Sequence, residues 1–339
     1  MIGSFKQAVY RKRFILRKTI NKKLIYVGVI LLAVFLILLV LAIWDSHRSS
    51  FLPNDGDEAV LEYQGREYVL KNNIETFLVL GLDKFNGSVD SDAYNNDQQA
   101  DFLMLFVIDN DAKKISVLHI NRDTMTDMNV LGLNGNKVAT VNKQIALAHT
   151  YGNGKEVSCR NTTDSLSSLL LGMKINHYIS LKMDSVPILN DLVGGVTLEV
   201  LDDFQSDDLA LKKGETVTLT GEQALAYVRA RQGMEDSSNI ARMERQRQYV
   251  EALYHQAMYC IDNDANFVVD ASLQMKDYLV SDRSVTQMQQ LANKFNTYDF
   301  VGIETIRGES RVGEEFMEFY TDSNHVQEIV VKLFYELKN

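Results

Sequence analysis

The chain has 339 residues, of which 46% are hydrophobic and 24% are charged. Its 35 basic and 45 acidic residues give a formal net charge of −10 at pH 7. This composition excludes a disordered chain, and with only 2 prolines it also excludes a Pro-rich low-complexity chain. The acidic balance argues against a dedicated nucleic-acid-binding protein, whose contact surface would be basic.

The charge is distributed unevenly along the chain. Residues 1–23 contain eight basic residues and no acidic residue, and residues 24–43 form an apolar run without any charge. A helix of this length spans about 30 Å, the thickness of the hydrocarbon core of a bilayer, and Trp44 suits its interfacial end. We predict a basic cytoplasmic segment over residues 1–23, a transmembrane helix over residues 24–43, and an extracellular chain beyond it.

A cleaved signal peptide is the alternative to this anchor. The apolar core of a signal peptide usually has about 7–15 residues and ends in a small-residue cleavage site. The run here is longer and continues into AIWDSH, which offers no such site. An uncleaved, single-pass anchor in the cell membrane is therefore favoured, and it argues against an ATP-driven cytosolic reaction or direct contact with DNA.

The segments after the anchor predict a stalk and one α/β domain. Residues 44–72 are interpreted as a short stalk and a small hairpin with its turn at Gln64-Gly65. Apolar runs typical of buried strands predict strands at residues 76–81, 102–109, 114–120, 177–182, 195–200 and 303–306. Helical periodicity predicts helices at residues 142–149, 162–171, 239–260 and 286–295, and from residue 323.

Two further helices are predicted from their end signals. Asp184 and Pro187 can begin a helix that Gly194-Gly195 ends, and Thr220 with Gln223 has the spacing of a capping box. Residues 73–339 are therefore predicted to form one domain, a central mixed sheet flanked by helices on both faces.

Arginines gather in three separate stretches of this otherwise acidic domain. The polar side chains concerned are Arg122, Arg229, Arg231, Arg242, Arg245 and Gln246. Helical residues two apart point about 200° apart, so Arg229 and Arg231 share one side only if the helix ends near Tyr227 and the backbone extends. The last three have the spacing i, i+3, i+4 and share a helix face.

Convergent guanidiniums are the donors that a phosphate or pyrophosphate requires, because they are planar, permanently charged and bidentate. The alternative is a set of solvated surface charges that pair with Glu235, Asp236 and Glu244. The arginine pattern alone leaves both interpretations open.

Two acidic residues flank predicted strands at the ends of the sheet. Asp83 follows the first strand and Asp101 begins the second. Two such carboxylates could hold Mg²⁺ against a phosphate, since Mg²⁺ often uses one or two carboxylates together with substrate oxygens. Their alternative role is that of ordinary turn and strand-end residues.

The other reactive side chains give no recognisable motif. The six histidines are scattered without a metal-ligand spacing, and no Walker loop or GxSxG sequence is present. Cys159 and Cys260 both follow the anchor, where a disulfide is permitted, but the sequence leaves open whether they are bonded.

Several ordered segments behind this anchor resemble the LytR-CpsA-Psr family of cell-envelope proteins. The matching segments are LVLGLD, ADFLMLFVID, ISVLHINRDT, AHTYG, INHYISLKMD, LNDLVGGVTLEV, LTGEQALAYVRAR and NIARMERQRQ. The resemblance implies a mixed sheet flanked by helices, with an apolar pocket for a lipid tail. It also implies a phosphotransferase on the outer membrane face, which moves a glycopolymer from a polyprenyl-pyrophosphate carrier to peptidoglycan through a phosphodiester bond.

The resemblance also implies roles for individual residues. Asp83 and Asp101 match the acids associated with Mg²⁺, and the side chains expected on the pyrophosphate are Arg122, Arg229, Arg231, Arg242, Arg245 and Gln246. Of these, Arg122, Arg229 and Arg231 are expected to carry the catalysis by stabilising the charge that develops on the phosphate. Expected partners are the lipid-linked glycan, the peptidoglycan acceptor and membrane lipid, with no nucleic acid.

The chain departs from the family pattern at three positions. Gln99 stands where the family usually has an arginine, so one phosphate contact is missing or is made by this amide. Asn121 replaces a proline, and Asn239 replaces an aspartate that could position water or act as a base.

Gln99 and Asn239 keep one alternative function open, a non-catalytic module that binds lipid diphosphates. A pyrophosphate hydrolase, which uses water as the acceptor, is a further alternative. A transcriptional regulator is disfavoured by the predicted outward topology. The sequence specifies neither the glycopolymer nor the acceptor hydroxyl, nor the oligomeric state.

Overall fold

The computed structural model describes residues 60–84, 95–204, 211–230, 238–314 and 316–338. The predicted basic segment and transmembrane helix, together with Arg231 and Asp236, lie outside these residues. Within the described part of the chain, no helix has the length and apolar character needed to cross a membrane. The described residues from Glu62 onwards form one compact unit.

The described part of the chain begins with seven consecutive strands and continues with a mixture of helices and strands. The strands are β1 Val60–Tyr63, β2 Arg66–Leu70, β3 Ile74–Lys84, β4 Gln98–Asp109, β5 Lys114–Ile120, β6 Met125–Leu131, β7 Lys137–Gln144, β8 His177–Lys182, β9 Val196–Glu199, β10 Thr216–Leu219, β11 Leu279–Ser281, β12 Asp299–Thr305, β13 Gly308–Val312, β14 Met317–Thr321 and β15 Tyr335–Leu337. The helices are α1 Glu156–Leu169, α2 Val186–Leu192, α3 Gly221–Arg229, α4 Asn239–Asn263, α5 Phe267–Met275, α6 Val285–Phe295 and α7 Ser323–Phe334.

A six-stranded mixed sheet forms the centre, in the order β11-β8-β3-β4-β5-β12. Strands β3, β4 and β5 are antiparallel neighbours, whereas β8 runs parallel to β3 and β12 runs parallel to β5. Leu78, Leu80, Leu103 and Leu105 are completely buried in the two central strands. Their continuous apolar runs follow from burial on both faces, and the predicted α/β fold with a central mixed sheet is confirmed.

Helices cover the sheet from two sides. On one face, Phe77 and Met104 belong to a cluster that packs against Val250 of α4 and Leu291 of α6. Because neighbouring strand residues point to opposite faces, Ser180 of β8, which follows Ile179 of this cluster, points away from it and towards Cys159 of α1. Helix α1 therefore covers the opposite face.

Some parts of the fold differ from the sequence-based expectation, and others agree with it. Residues 142–149 were expected to be helical, but 142–144 end strand β7 and only Ile145–Thr150 form a short 3₁₀ helix. That prediction was wrong because antiparallel pairing with β6 outweighs the local periodicity.

The predicted hairpin is present, with positive φ at Gln64 and Gly65, and its strand β2 pairs with β15 near the end of the chain. The predicted strand at 303–306 begins earlier, at Asp299.

The two cysteines are free. Cys159 is fully buried, whereas Cys260 in α4 has its Sγ 3.8 Å from the carbonyl oxygen of Val193. The helices that carry them cover opposite faces of the sheet, so the pairing that the sequence left open does not form.

We therefore expect unreduced, unfolded protein to titrate with two thiols per chain in a reaction with Ellman's reagent. In the native protein Cys159 should stay unreactive at pH 8, because burial raises the pKa of its thiol to about 11 and the thiolate is the nucleophile. Prior treatment with a reductant should leave the count unchanged. A count below two in unreduced protein would contradict this arrangement.

Candidate active site

The site begins with an irregularity in the pairing of β3 with β4. Gly81 pairs with Phe102 and Leu82 pairs with Ala100, so Asp101 is the extra residue of a β-bulge. Bulges re-aim side chains and often occur near functional sites. On the next pair along, Asp83 lies opposite Gln99, which places both carboxylates at the same end of the strand pair.

Asp101 is the centre of the first group of charges. Arg122, the second residue after β5, forms an ion pair with Asp101 through its Nη1 and donates from Nη2 to Oε1 of Gln99 at 3.3 Å. Arg242 of α4 places its Nη1 3.7 Å from Asp101 Oδ2. Both guanidiniums are largely buried, with side-chain exposures of 13% and 5%, so the carboxylate offsets charges that water reaches poorly.

Asp83 forms a second, more open pair with Arg229, the last residue of α3. Nη2 of Arg229 lies 2.8 Å from Oδ1 and 2.7 Å from Oδ2 of Asp83. Asp184 lies 3.7 Å from Nη1 on the other side. The Arg229 side chain is 46% exposed, so it can reach a ligand more readily than Arg122 or Arg242.

The Arg122 segment is held by residues that are distant in sequence. Oδ1 of Asp123 lies 3.3 Å from Nε of Arg122. The same oxygen accepts a hydrogen bond from Nε2 of Gln144 at 3.1 Å. Gln144 also donates to the carbonyl oxygen of Met317 at 2.6 Å, and the backbone N–H of Phe319 donates to the carbonyl oxygen of Asp123 at 2.8 Å. The β13–β14 hairpin therefore braces the loop that carries Arg122.

Amides occupy the two positions where the chain departs from the family pattern near α4. Asn239 donates from Nδ2 to Oδ1 of Asn121 at 2.6 Å and accepts from Nη2 of Arg242 at 2.7 Å. Asn121 in turn accepts from the backbone N–H of Asp123 at 2.9 Å. These amides link the Arg122 loop to α4, and an amide in place of a carboxylate offers no basic group to a reaction.

Arg245 and Gln246 do not join this cluster. Arg245 is fully buried, and it forms an ion pair with Asp202 at 2.5 Å. Gln246 donates from Nε2 to the carbonyl oxygen of Val228 at 3.0 Å. The structure thus brings together Asp101, Arg122, Gln99 and Arg242, pairs Asp83 with Arg229, and directs the other two side chains towards the end of α3.

An apolar cavity of about 280 Å³ adjoins the charges. Part of its lining is formed by residues that lie close in sequence to the charged residues, namely Gly81, Phe102, Val228 and Gln246. The cavity lies between the central sheet and helices α2, α4 and α5, where it is lined by apolar residues such as Leu189, Leu253 and Phe267. A polar cluster at the end of an apolar cavity suits a ligand with an anionic head and an apolar tail.

The carboxylates fit a metal only if a ligand completes the coordination. Among the described residues, no group of three or more His, Cys, Asp or Glu side chains could hold a metal ion. Asp83 and Asp101 each already contact a guanidinium, but a carboxylate has about four lone-pair sites. The donor set therefore suits Mg²⁺, which commonly uses one or two carboxylates and phosphate oxygens, rather than a cation in an all-protein cage.

A protein-family model matches most of the chain. The model described as the LytR_cpsA_psr family matches residues 52–334, so the chain belongs to the LytR-CpsA-Psr family. The resemblance found in the sequence segments is thereby confirmed.

Relatives in this family carry names of transferases. A polyisoprenyl-teichoic acid–peptidoglycan teichoic acid transferase, TagU of Halalkalibacterium halodurans, is 30% identical over 184 residues, which cover 54% of this chain and 56% of that protein. The match thus spans little more than half the length of that relative. TagU of Enterococcus faecalis is 25% identical over 300 residues, which cover 87% of this chain and 88% of that protein.

Solved structures share the fold. TagV of B. subtilis superimposes with a TM-score of 0.59 at 20% identity over 78% of this chain and 97% of that chain. A structure described as TagT bound to LIIa-WTA gives a TM-score of 0.56 at 20% identity over 78% of this chain and 90% of that chain. At these identities the likeness concerns the fold alone.

The residues that brace the site were not identified from the sequence. Asp123 could have been noticed, since it directly follows Arg122, but Gln144 and the carbonyl of Met317 carry no motif. Asp202 likewise lies outside every segment that was singled out. Only the tertiary structure brings residues 123, 144 and 317 together.

The brace predicts that Gln144→Leu weakens anion binding. Without its amide, Asp123 loses one of the bonds that orient it against Arg122, and we expect the affinity for inorganic pyrophosphate to fall about tenfold, or about 1.4 kcal/mol. Isothermal titration calorimetry measures this change. Gln289→Leu is the matched control, because Gln289 donates to the carbonyl of Ala265 outside the cluster; equal losses in both variants would contradict the brace.

Proposed function

We propose that the protein is a membrane-anchored phosphotransferase that moves a glycopolymer from a polyprenyl-pyrophosphate carrier to peptidoglycan. The observation that carries this proposal is the charged cluster at the end of an apolar cavity. Family membership and the names of the relatives, which are teichoic acid transferases, support the same class of substrate.

The two parts of the site would bind the two parts of the carrier. Guanidiniums of Arg122, Arg229 and Arg242 would donate to the pyrophosphate oxygens, and Arg231, which lies outside the described residues, is proposed to join them. The first isoprene units would enter the cavity between the sheet and α4. A second apolar cavity of about 250 Å³ shares Val79 and Tyr254 with the first, so the same face offers room for more of the tail.

The proposed reaction is a displacement at the phosphorus that carries the glycan. An acceptor hydroxyl on peptidoglycan forms the new P–O bond, the bond to the bridging oxygen breaks, and polyprenyl monophosphate leaves with the electron pair. Negative charge develops on the phosphoryl and leaving oxygens, where fixed guanidiniums stabilise it. The hydroxyl proton passes to solvent or to a carboxylate of the cluster, since Asn239 cannot accept it.

Asp83 and Asp101 are proposed to hold Mg²⁺, which would offset phosphate charge and polarise a phosphoryl oxygen. Arg229 and Arg122 would remain beside these carboxylates and contact the same anion. The Gln99 amide, already bonded to Arg122, would orient that guanidinium or donate to a phosphate oxygen itself.

The predicted anchor fits this substrate. A transmembrane helix over residues 24–43 would keep the domain on the outer membrane face and raise the effective concentration of a lipid-linked substrate. The second candidate is a non-catalytic module that binds lipid diphosphates, favoured by the amide of Asn239, which cannot act as a base. A pyrophosphate hydrolase would be distinguished by its product, a free glycan phosphate rather than a peptidoglycan conjugate.

We expect Arg122→Ala and Arg229→Ala each to lower the rate of glycan transfer by about 10²–10³, the loss typical when a donor to a developing oxyanion is removed. The assay uses full-length protein in membranes with a lipid-diphosphate glycan and peptidoglycan, and product is quantified as conjugate. Arg307→Ala removes an exposed arginine that pairs with Glu328 and should transfer like the wild type.

Undiminished transfer by both variants would refute the assigned roles. Free glycan phosphate without conjugate would identify a hydrolase, and binding without any product would identify a non-catalytic module. In each variant, circular dichroism confirms that the fold is retained.

Removal of divalent cations tests the carboxylates. We expect EDTA to abolish transfer and added Mg²⁺ to restore it, and we expect Asp83→Asn to require a higher Mg²⁺ concentration for half-maximal rate, because one anionic ligand is lost. Asp184→Asn, which changes an exposed carboxylate beside the same arginine, is the matched control. Full activity in EDTA would contradict the proposed metal.

A further inference from the structure

We infer that Arg245 and Asp202 form a positioning pair that fixes the end of helix α3 and thereby aims Arg229 at the anion. This inference rests on the proposed function only in taking Arg229 as an anion-binding residue. The sequence placed Arg245 on the pyrophosphate; the contacts of its guanidinium point to a different role.

The last carbonyl groups of a helix lack partners within the helix and must find them elsewhere. At the end of α3, side chains of α4 supply these partners. Arg245 donates from Nε to the carbonyl oxygen of Tyr227 at 3.1 Å and from Nη2 to that of Ala230. Gln246 donates to the carbonyl oxygen of Val228 between them.

These bonds determine where α3 ends. Ala230 leaves the helix with φ −58° and ψ 137°, an extended conformation, while its carbonyl is held by Arg245. Arg229 is the last helical residue, so the backbone on both sides of it is bonded to a neighbouring helix. Helix α3 thus continues two residues past Tyr227, and Arg245 contacts the carbonyl groups on both sides of its last residue.

Asp202 makes the burial of Arg245 tolerable. The Arg245 side chain is 1% exposed, and its Nη1 lies 2.5 Å from Oδ2 of Asp202. An unpaired charge at such a depth would strongly destabilise the fold. The aspartate is thus required for the guanidinium that holds α3.

The segment that carries Asp202 is itself fastened to α3. The backbone N–H of Leu201 donates to the Tyr227 hydroxyl at 3.2 Å, and that hydroxyl donates to Oε1 of Gln248 at 2.5 Å. The ring of Phe204 stacks on Tyr227 with centroids 5.5 Å apart, and Cζ of Arg245 lies 5.9 Å from the Phe204 centroid. Residues 201–204, the end of α3 and α4 therefore form one packed unit.

The same contacts separate Arg245 from a direct ligand role. Nε and both terminal nitrogens of its guanidinium already donate inside the protein, and the group has almost no exposed surface. Arg242, one turn earlier on the same helix, points instead to Asp101 at the cluster. Arg245 is therefore a positioning residue, not a catalytic one.

A double-mutant cycle tests this inference. The affinity for farnesyl diphosphate, a soluble prenyl diphosphate, is measured by calorimetry for the full-length wild type in detergent, Arg245→Met, Arg229→Ala and the double variant. If Arg245 acts through Arg229, Arg245→Met weakens binding about 10–100-fold alone but less than threefold further in the Arg229→Ala background. Arg307→Met, which removes an exposed ion pair, should bind like the wild type.

The inference would be overturned if the losses of affinity in the two single variants multiplied in the double variant. It would also be overturned if Arg245→Met bound the probe with unchanged affinity, or if the wild type did not bind the probe. Coupling in a protein that binds the probe but transfers no glycan would support the inference and refute the proposed transfer. The two failures are therefore distinguishable.

A second variant distinguishes a loss of folding from a loss of positioning. Asp202→Leu with Arg245→Met removes both buried charges, so no unpaired ion remains, and we expect its melting temperature to exceed that of Asp202→Leu alone. Its affinity for the probe should nevertheless stay 10–100-fold below that of the wild type, because the carbonyls of Tyr227 and Ala230 are no longer held. Recovery of affinity together with stability would contradict a positioning role.

Discussion

The site depends on carboxylates that neutralise guanidiniums at one end of the β3–β4 pair. Arg122 and Arg242 share Asp101, and Arg229 takes both oxygens of Asp83. The guanidiniums of Arg122 and Arg242, which have little exposure, would repel one another and lose hydration if they were unpaired. The bulge at Asp101 places the compensating charge between two arginines from different elements, so the strand pairing determines where the cationic groups can lie.

Helix α4 connects this charge pairing to the apolar core. Its first turns hold Arg242 at the cluster, the next residues hold the end of α3, and Val250 packs on the central sheet. A displacement of α4 would therefore move two of the anion-binding arginines and the wall of the cavity together. This shared dependence would allow one rigid arrangement to bind both the anionic head and the apolar tail of the proposed substrate.

The sequence predicted those features that local pattern determines. Apolar runs predicted the central strands, and the Thr220–Gln223 spacing predicted the capping box that begins α3. The sequence could not distinguish Arg242 from Arg245, because both share a helix face and only the tertiary packing decides which of them meets Asp101 and which meets Asp202. The bulge at Asp101 depends on strand register, and the brace on Arg122 depends on residues almost 200 positions later, so neither leaves a local signal.

The charge balance bears on how a substrate would reach the site. Three arginines at the cluster, Arg122, Arg229 and Arg242, face the three aspartates Asp83, Asp101 and Asp123, so the described cluster carries no excess positive charge. Excluding the eight basic residues of the first 23, the rest of the chain carries a net charge of −18. Long-range attraction of a diphosphate is therefore weak, and screening limits any such field to about 8–10 Å in physiological salt. Capture must come from short-range hydrogen bonds, from burial of the apolar tail and from confinement near the lipid, which is the advantage that the predicted membrane anchor would give.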